Sequence, residues 1–270
     1  MAVLGLDTWC VGAGEMRHAS AVTTGDILGA LASCPSGDVL VVVGGAETAH
    51  AARIALSSLR RPDVSLIEVA GPPTRRHAVR LGLELLWPAV YGFADAVMAA
   101  IDARCGTRVL LSSVTRLTDP NPGLVDHVAS WLRGQYFDVD VDAREVRRTR
   151  TPELTLAPGD LGVLAAHGAR PDDLRLTSLP ALRVEITGPW ASAPWRAKQW
   201  TEVTVVRGSL ADSVQLALTG SKARACPSCA RPVTGVHCRF CGIVVPGATR
   251  PNAPTPPAVL VPSYSEETHA

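Results

Sequence analysis

Lysine is almost missing from this 270-residue chain: Lys198 and Lys222 are the only two, and arginine carries the rest of the positive charge. The 26 basic residues meet 25 acidic ones, so a net charge of +1 excludes the field that draws a protein nonspecifically to nucleic acid or anionic lipid. Long apolar runs are missing too. The longest clear one, Val39 to Val43, is far short of the roughly 20 residues of a membrane span. Met1 to Gly12 has neither a basic leader nor a small-residue cleavage site, so the expectation is a soluble, cytoplasmic protein with reduced thiols. Several enzyme signatures are also absent. There is no GxxxxGK[ST] loop, no GxSxG elbow and no HExxH helix, and neither Gly12-Ala13-Gly14 nor Gly44-Gly45 continues to the third glycine of a dinucleotide fingerprint.

What the chain does have is two short cysteine knuckles near its carboxyl end, Cys226-Pro-Ser-Cys229 and Cys238-Arg-Phe-Cys241. Each C-x-x-C turn presents two soft thiolates from one tight loop, and two such turns fill the tetrahedral shell of one Zn²⁺ at about 2.3 Å. The eight residues between Cys229 and Cys238 allow one small hairpin, with Pro232, Gly235 and Gly242 as its turn residues. The segment from Ala225 to Val244 resembles the zinc-ribbon modules of bacterial proteins in its CPxC opening and CxxCG closing. It departs from them at Ala230, where the first knuckle often carries glycine. That resemblance implies one structural Zn²⁺ held by Cys226, Cys229, Cys238 and Cys241. A pair of disulfides or a redox dithiol is the alternative, opposed by the reducing compartment and by the absence of a following helix. His237 is a substitute ligand only if a cysteine fails.

The first 150 residues alternate short apolar runs with helical patterns. Ala2 to Leu6, Asp38 to Val43, Val64 to Val69 and Arg108 to Leu111 read as strands buried on both faces. Thr48 to Leu59, Thr74 to Leu86, Gly92 to Arg104 and Gly123 to Gly134 each place apolar residues on one stripe and read as helices. The fold class expected is therefore α/β, a mostly parallel sheet covered by helices. Residues 151–220 read as a β-rich extension packed on domain 1–150, with a hairpin of Leu182 to Thr187 against Trp200 to Val206 and a last helix from Ser209 to Leu218. The zinc ribbon spans 225–245. Residues 246–270 are proline-rich and too poor in apolar side chains to order themselves, with Ala258 to Val261 as a docking peptide or simply unused tail.

Two sets of candidate functional residues follow. Trp190, Trp195 and Trp200 interleave with Arg196 and Lys198 at the expected hairpin tip, a composition that grips a partner surface if exposed and caps the core if not. At the carboxyl ends of the strands, where open α/β sheets bind ligands, stand Gly44, Gly45 and Glu47, and His167 in a glycine turn. The first set points to a non-enzymatic zinc-binding adaptor or regulatory protein that engages a macromolecular partner, protein before nucleic acid. The second points instead to an enzyme acting on a small or phosphorylated ligand. Isolated Cys10, Cys34 and Cys105 read as small buried hydrophobes, Cys10 alone meriting a reactivity test.

Overall fold

The computed structural model describes residues 8–12, 15–18, 23–32, 37–132, 134–168, 174–186 and 195–246. The expected strand Ala2 to Leu6 and the proline-rich tail beyond Pro246 lie outside the described residues.

Strand β1 (Thr8–Gly12) turns into β2 (Glu15–His18), and helix α1 (Thr24–Ala32) follows. Thr23 starts that helix by trading hydrogen bonds with Asp26: its hydroxyl accepts from the Asp26 amide at 3.2 Å and donates to the carboxylate at 2.7 Å. Five consecutive valine and leucine side chains then make β3 (Val39–Val43), which is buried along its whole length. Helix α2 (Ala46–Leu59) crosses to β4 (Val64–Glu68), which lies parallel to β3. The sheet order is β2-β1-β3-β4, with β1 antiparallel to both its neighbours. Alternation sorts the faces: Val39, Val41 and Val43 pack under α1 and α2, while Leu40, Val42 and Ile67 face the main core.

Next come α3 (Pro73–Leu83), a 3-10 turn (Pro88–Phe93), α4 (Ala94–Asp102) and β5 (Cys105–Leu111). A short α5 (Leu124–Ala129) leads to the hairpin of β6 (Tyr136–Asp140) and β7 (Glu145–Thr149). The chain continues through β8 (Glu153–Thr155), β9 (Leu161–His167), β10 (Arg175–Thr177), β11 (Leu182–Ile186), β12 (Trp200–Val206) and α6 (Leu210–Gly220). A six-stranded sheet has the order β11-β9-β12-β5-β6-β7, so one sheet takes strands from both sides of residue 150. The α/β class is as expected, and both large sheets are mixed: parallel pairing joins β3 to β4, β9 to β11 and β8 to β10, and the other pairs are antiparallel.

The expected hairpin of Leu182 to Thr187 with Trp200 to Val206 needs correction, because β9 lies between β11 and β12. All seven residues of β12 are buried, and a strand covered on both faces needs a full ladder on each edge. β5 and β9, each seven residues long, supply them where the five-residue β11 does not. Helices α3, α4 and α6 fill the space between the two sheets, joining Leu40 and Val42 on one side to Val163 and Val206 on the other in one continuous core. No helix among the described residues is long and apolar enough to cross a membrane.

Candidate metal centre and ligand cavity

The two knuckles are built alike. In the first, the Ala230 amide donates to the Cys226 carbonyl at 2.9 Å; in the second, Gly242 donates to Cys238 at 2.8 Å. The residue after each second cysteine takes the left-handed conformation, Gly242 at φ 73° and Ala230 at φ 60°, so the alanine that breaks the usual pattern bears a strained backbone. Strands β13 (Arg224–Ala225) and β14 (Pro232–Val233) bring the knuckles face to face. All four sulfurs lie within 4.8 Å of one another, with Cys226 to Cys241 and Cys229 to Cys238 at 3.5 Å. Four Zn–S bonds of about 2.3 Å at tetrahedral angles require about 3.8 Å between sulfurs, so the set fits a zinc-ribbon-like site. The amides of Cys229 and Ser228 draw the Cys226 thiol down to about 6, whereas burial pushes the Cys238 thiol up to about 12, so the fit of the set rests on the sulfur geometry. His237 is exposed and outside the cluster.

This ribbon is part of the body. Cys226, Val233, Cys238, Phe240 and Val245 are buried in the same core as Tyr91, Ala94 and Val97. Arg231 holds Asp38 with two hydrogen bonds of 2.8 and 2.5 Å while its guanidinium lies 4.5 Å from the Phe240 ring centre. Arg239 pairs with Asp95 and donates to the Leu66 carbonyl at 3.2 Å. Contact is closest at Gly92, where an added Cβ would lie 1.7 Å from the Pro232 carbonyl oxygen.

A cavity of about 580 Å³ opens at the carboxyl ends of the parallel pair β3 and β4. Its lining comes from Gly45, from Glu68 through Pro72, and from Arg76 on the first sheet's side; Asp119, Val141 and Trp195 close it from the second. Gly45 caps α2 at φ 109°, a backbone open to glycine alone, and as a glycine it brings no side chain to cap that helix end. Arg76, in the first turn of α3, is 5% exposed and lies on Gly44: a Cβ there would meet its Cδ and a guanidinium nitrogen at 2.8 Å. The acidic rim is already paired, Glu68 with Arg53 and Asp119 with Arg144.

Behind Trp195 lies a fully buried carboxylate. Glu202 on β12 accepts the Thr74 amide at 2.6 Å and the Thr74 hydroxyl at 2.5 Å on one oxygen, and the Trp195 indole N–H on the other. Burial pushes its acid up from the usual carboxylate range, while these donors and the Arg76 charge oppose that shift. The carboxylate occupies the amino end of α3, satisfying an amide the helix leaves open and fixing the wall that carries Trp195. A hydroxyl chain continues behind it, Thr74 to Thr204 at 2.6 Å and Thr204 to Thr107 at 2.8 Å.

Of the residues singled out in the sequence, the cavity gathers Gly45 in its lining and Gly44 beneath Arg76. His167 is not brought there; it is exposed at the end of β9, its ring stacked 6.1 Å from that of Trp200. Trp190 and the side chain of Glu47 lie outside the described residues. Of the two readings open for the tryptophans, Trp195 and Trp200 take the core one, buried with Ala165 and Phe137, Trp200 on the central strand β12 and Trp195 held by Glu202; Arg196 and Lys198 are exposed. Cys105 is a buried thiol pushed up to about 12 by that burial. Sequence reasoning missed Arg76 and Glu202. The signals were a pair of arginines just inside a helix started by Pro72-Pro73, and an acid set among apolar residues in Trp200-Thr-Glu-Val-Thr-Val-Val206.

No family model matches the chain, and no curated protein does. Among solved structures, it is similar to a DegV family protein from Eubacterium eligens loaded with heptadecanoic acid: TM-score 0.40, 8% identity, 75% of this chain and 92% of that one. It is also similar to the Streptococcus pneumoniae fatty acid kinase (Fak) B3 protein loaded with linoleic acid: TM-score 0.37, 8% identity, 74% of this chain and 90% of that one. Likenesses of this size say nothing of what this chain binds.

Proposed function

We propose that this protein binds a small anionic molecule, its carboxylate or phosphate held between Arg76 and the amino end of α2 at Gly44-Gly45, its less polar part against Val69, Val141 and Trp195. The observation that carries this reading is the buried Arg76 guanidinium laid on Gly44 in the cavity lining. An arginine fork and the open amides of a 14-residue helix are matched to an oxyanion, and the apolar walls are matched to the remainder of an organic ligand. Glu202 and Trp195 act as positioning residues beneath it. One structural Zn²⁺ in the ribbon clamps the loop and 3-10 turn that the ribbon covers. The adaptor reading loses support because Trp195 and Trp200 are interior and the ribbon's apolar face is buried on the body.

Thermal melts with inorganic phosphate and with butyrate test the proposal. An anion at 100 times its dissociation constant adds about 2.7 kcal/mol to the stability of the wild type. Gly44→Ala has ordinary backbone freedom at that position but pushes the Arg76 head aside, so it folds and loses the response. A wild type that neither anion stabilises contradicts the reading.

A further inference from the structure

The segment Gly123 to Gly134 reads as a helix with an apolar stripe, and such a stripe ordinarily faces a core. Here it faces solvent. Leu124, Val125, Val128, Trp131 and Leu132 fall at i, i+1, i+4, i+7 and i+8, on one side of α5 and the turn that continues it, and are 81, 63, 53, 78 and 62% exposed. Their direction is fixed from the opposite side. Ala129 is buried with Val109, Val114 and Phe137, and the Ser130 hydroxyl accepts the Val114 amide at 3.0 Å while donating to the Asp126 carbonyl at 3.1 Å. The five side chains leave on the order of 600 Å² of apolar surface in water, at the upper limit for a monomer's largest patch.

We infer that this face pairs with the same face of a second copy of the chain, about a twofold axis through the middle of the stripe. A stable dimer buries about 800 Å² on each partner, which this stripe and a polar rim together supply. The rim favours a like partner. Asp126 pairs with Arg148 at 3.2 Å and Asp119 with Arg144 at 2.6 Å, so charges of both signs stand beside the patch. A twofold contact sets each residue of the patch against another residue of the same patch, which requires such self-complementary charge; an anionic membrane or a nucleic acid requires a basic rim instead. Trp131, the largest and among the most exposed of the five, is the anchor.

Sedimentation of the full, zinc-loaded chain from nanomolar to high micromolar concentration tests this. The wild type should pass from monomer to dimer with a blue shift of tryptophan emission, and Trp131→Glu should raise the dissociation constant on the order of 100-fold or more while keeping zinc content and a cooperative melt. Three results overturn the inference: a wild type that stays monomeric across the range, a dimer that Trp131→Glu leaves intact, or a monomer that instead co-sediments with phosphatidylglycerol vesicles. If Trp131→Glu fails to fold, the wild-type series decides alone.

Discussion

Replacing Gly92 with alanine puts the packing of the ribbon under direct strain. The new Cβ would stand 1.7 Å from the Pro232 carbonyl oxygen and 2.7 Å from its carbon, both backbone atoms with no rotamer to escape into. Ordinary contact is about 3.5 Å or more, so the 3-10 turn and the ribbon must separate by roughly 1.5 to 2 Å. That movement breaks the 3.4 Å hydrogen bond from the Thr234 hydroxyl to the Gly92 carbonyl and loosens the pairs of Arg231 with Asp38 and Arg239 with Asp95. Those pairs are partly exposed and add less than about 1 kcal/mol each. The larger loss is packing. Complete undocking exposes Val233, Phe240 and Val245, a loss of about 5 to 9 kcal/mol, whereas overpacking with partial relaxation costs about 1 to 3 kcal/mol. Urea denaturation of Gly92→Ala should therefore show a loss in that lower range, together with faster proteolysis in the linker at Ser221 to Lys222. A variant as stable as the wild type to within about 0.5 kcal/mol, with unchanged cleavage, refutes an integral ribbon.

Elemental analysis should find one zinc per chain, and a chelator should lower the melting temperature of the whole body rather than of a separate module, because Cys226 and Cys238 share the main core. Ala230→Gly should stabilise the protein by about 0.5 kcal/mol in denaturant, since the strain of a left-handed alanine at φ 60° exceeds the extra backbone entropy of glycine. Glu202 has its folded-state pKa raised by burial, so its contribution to stability is complete below the unfolded value near 4.5 and declines as pH rises through the folded value. Compared with Glu202→Gln, the wild type should lose stability as pH increases from 4 toward neutrality; a constant difference across that range would count against a titrating Glu202.

The parts of this molecule legible in the sequence were those in which chemistry is local. A double C-x-x-C announces four cysteines gathered closely enough to hold a metal ion, and Val39 to Val43 can only be a buried strand. Helix α2 follows from the stripe of Ala51, Ile54, Ala55 and Leu59, although Ile54 proves exposed. Long-range pairing was not legible. Strict alternation in Leu182 to Thr187 marks a strand with one wet face, but nothing in those residues says that the neighbour is β9 rather than β12. Trp195 and Trp200 read equally well as surface anchors or core caps, and the sheet order decided between them. Arg76 and Glu202 were hidden for the same reason: 126 positions apart in sequence, they become a cavity lining and the carboxylate that holds Trp195 in it only when α3 is laid across β12. The stripe of α5 misleads in the opposite way, since periodicity marks an apolar face without saying whether its cover belongs to the same chain.

Calorimetric titration of inorganic phosphate into the wild type and into Arg76→Gln tests the anion cavity most directly. Saturable binding near one site per chain that Arg76→Gln weakens at least about tenfold, with both proteins folded and zinc-loaded, is the predicted result. Equal binding by the two proteins, or no heat from phosphate or from butyrate in the wild type, would contradict the account.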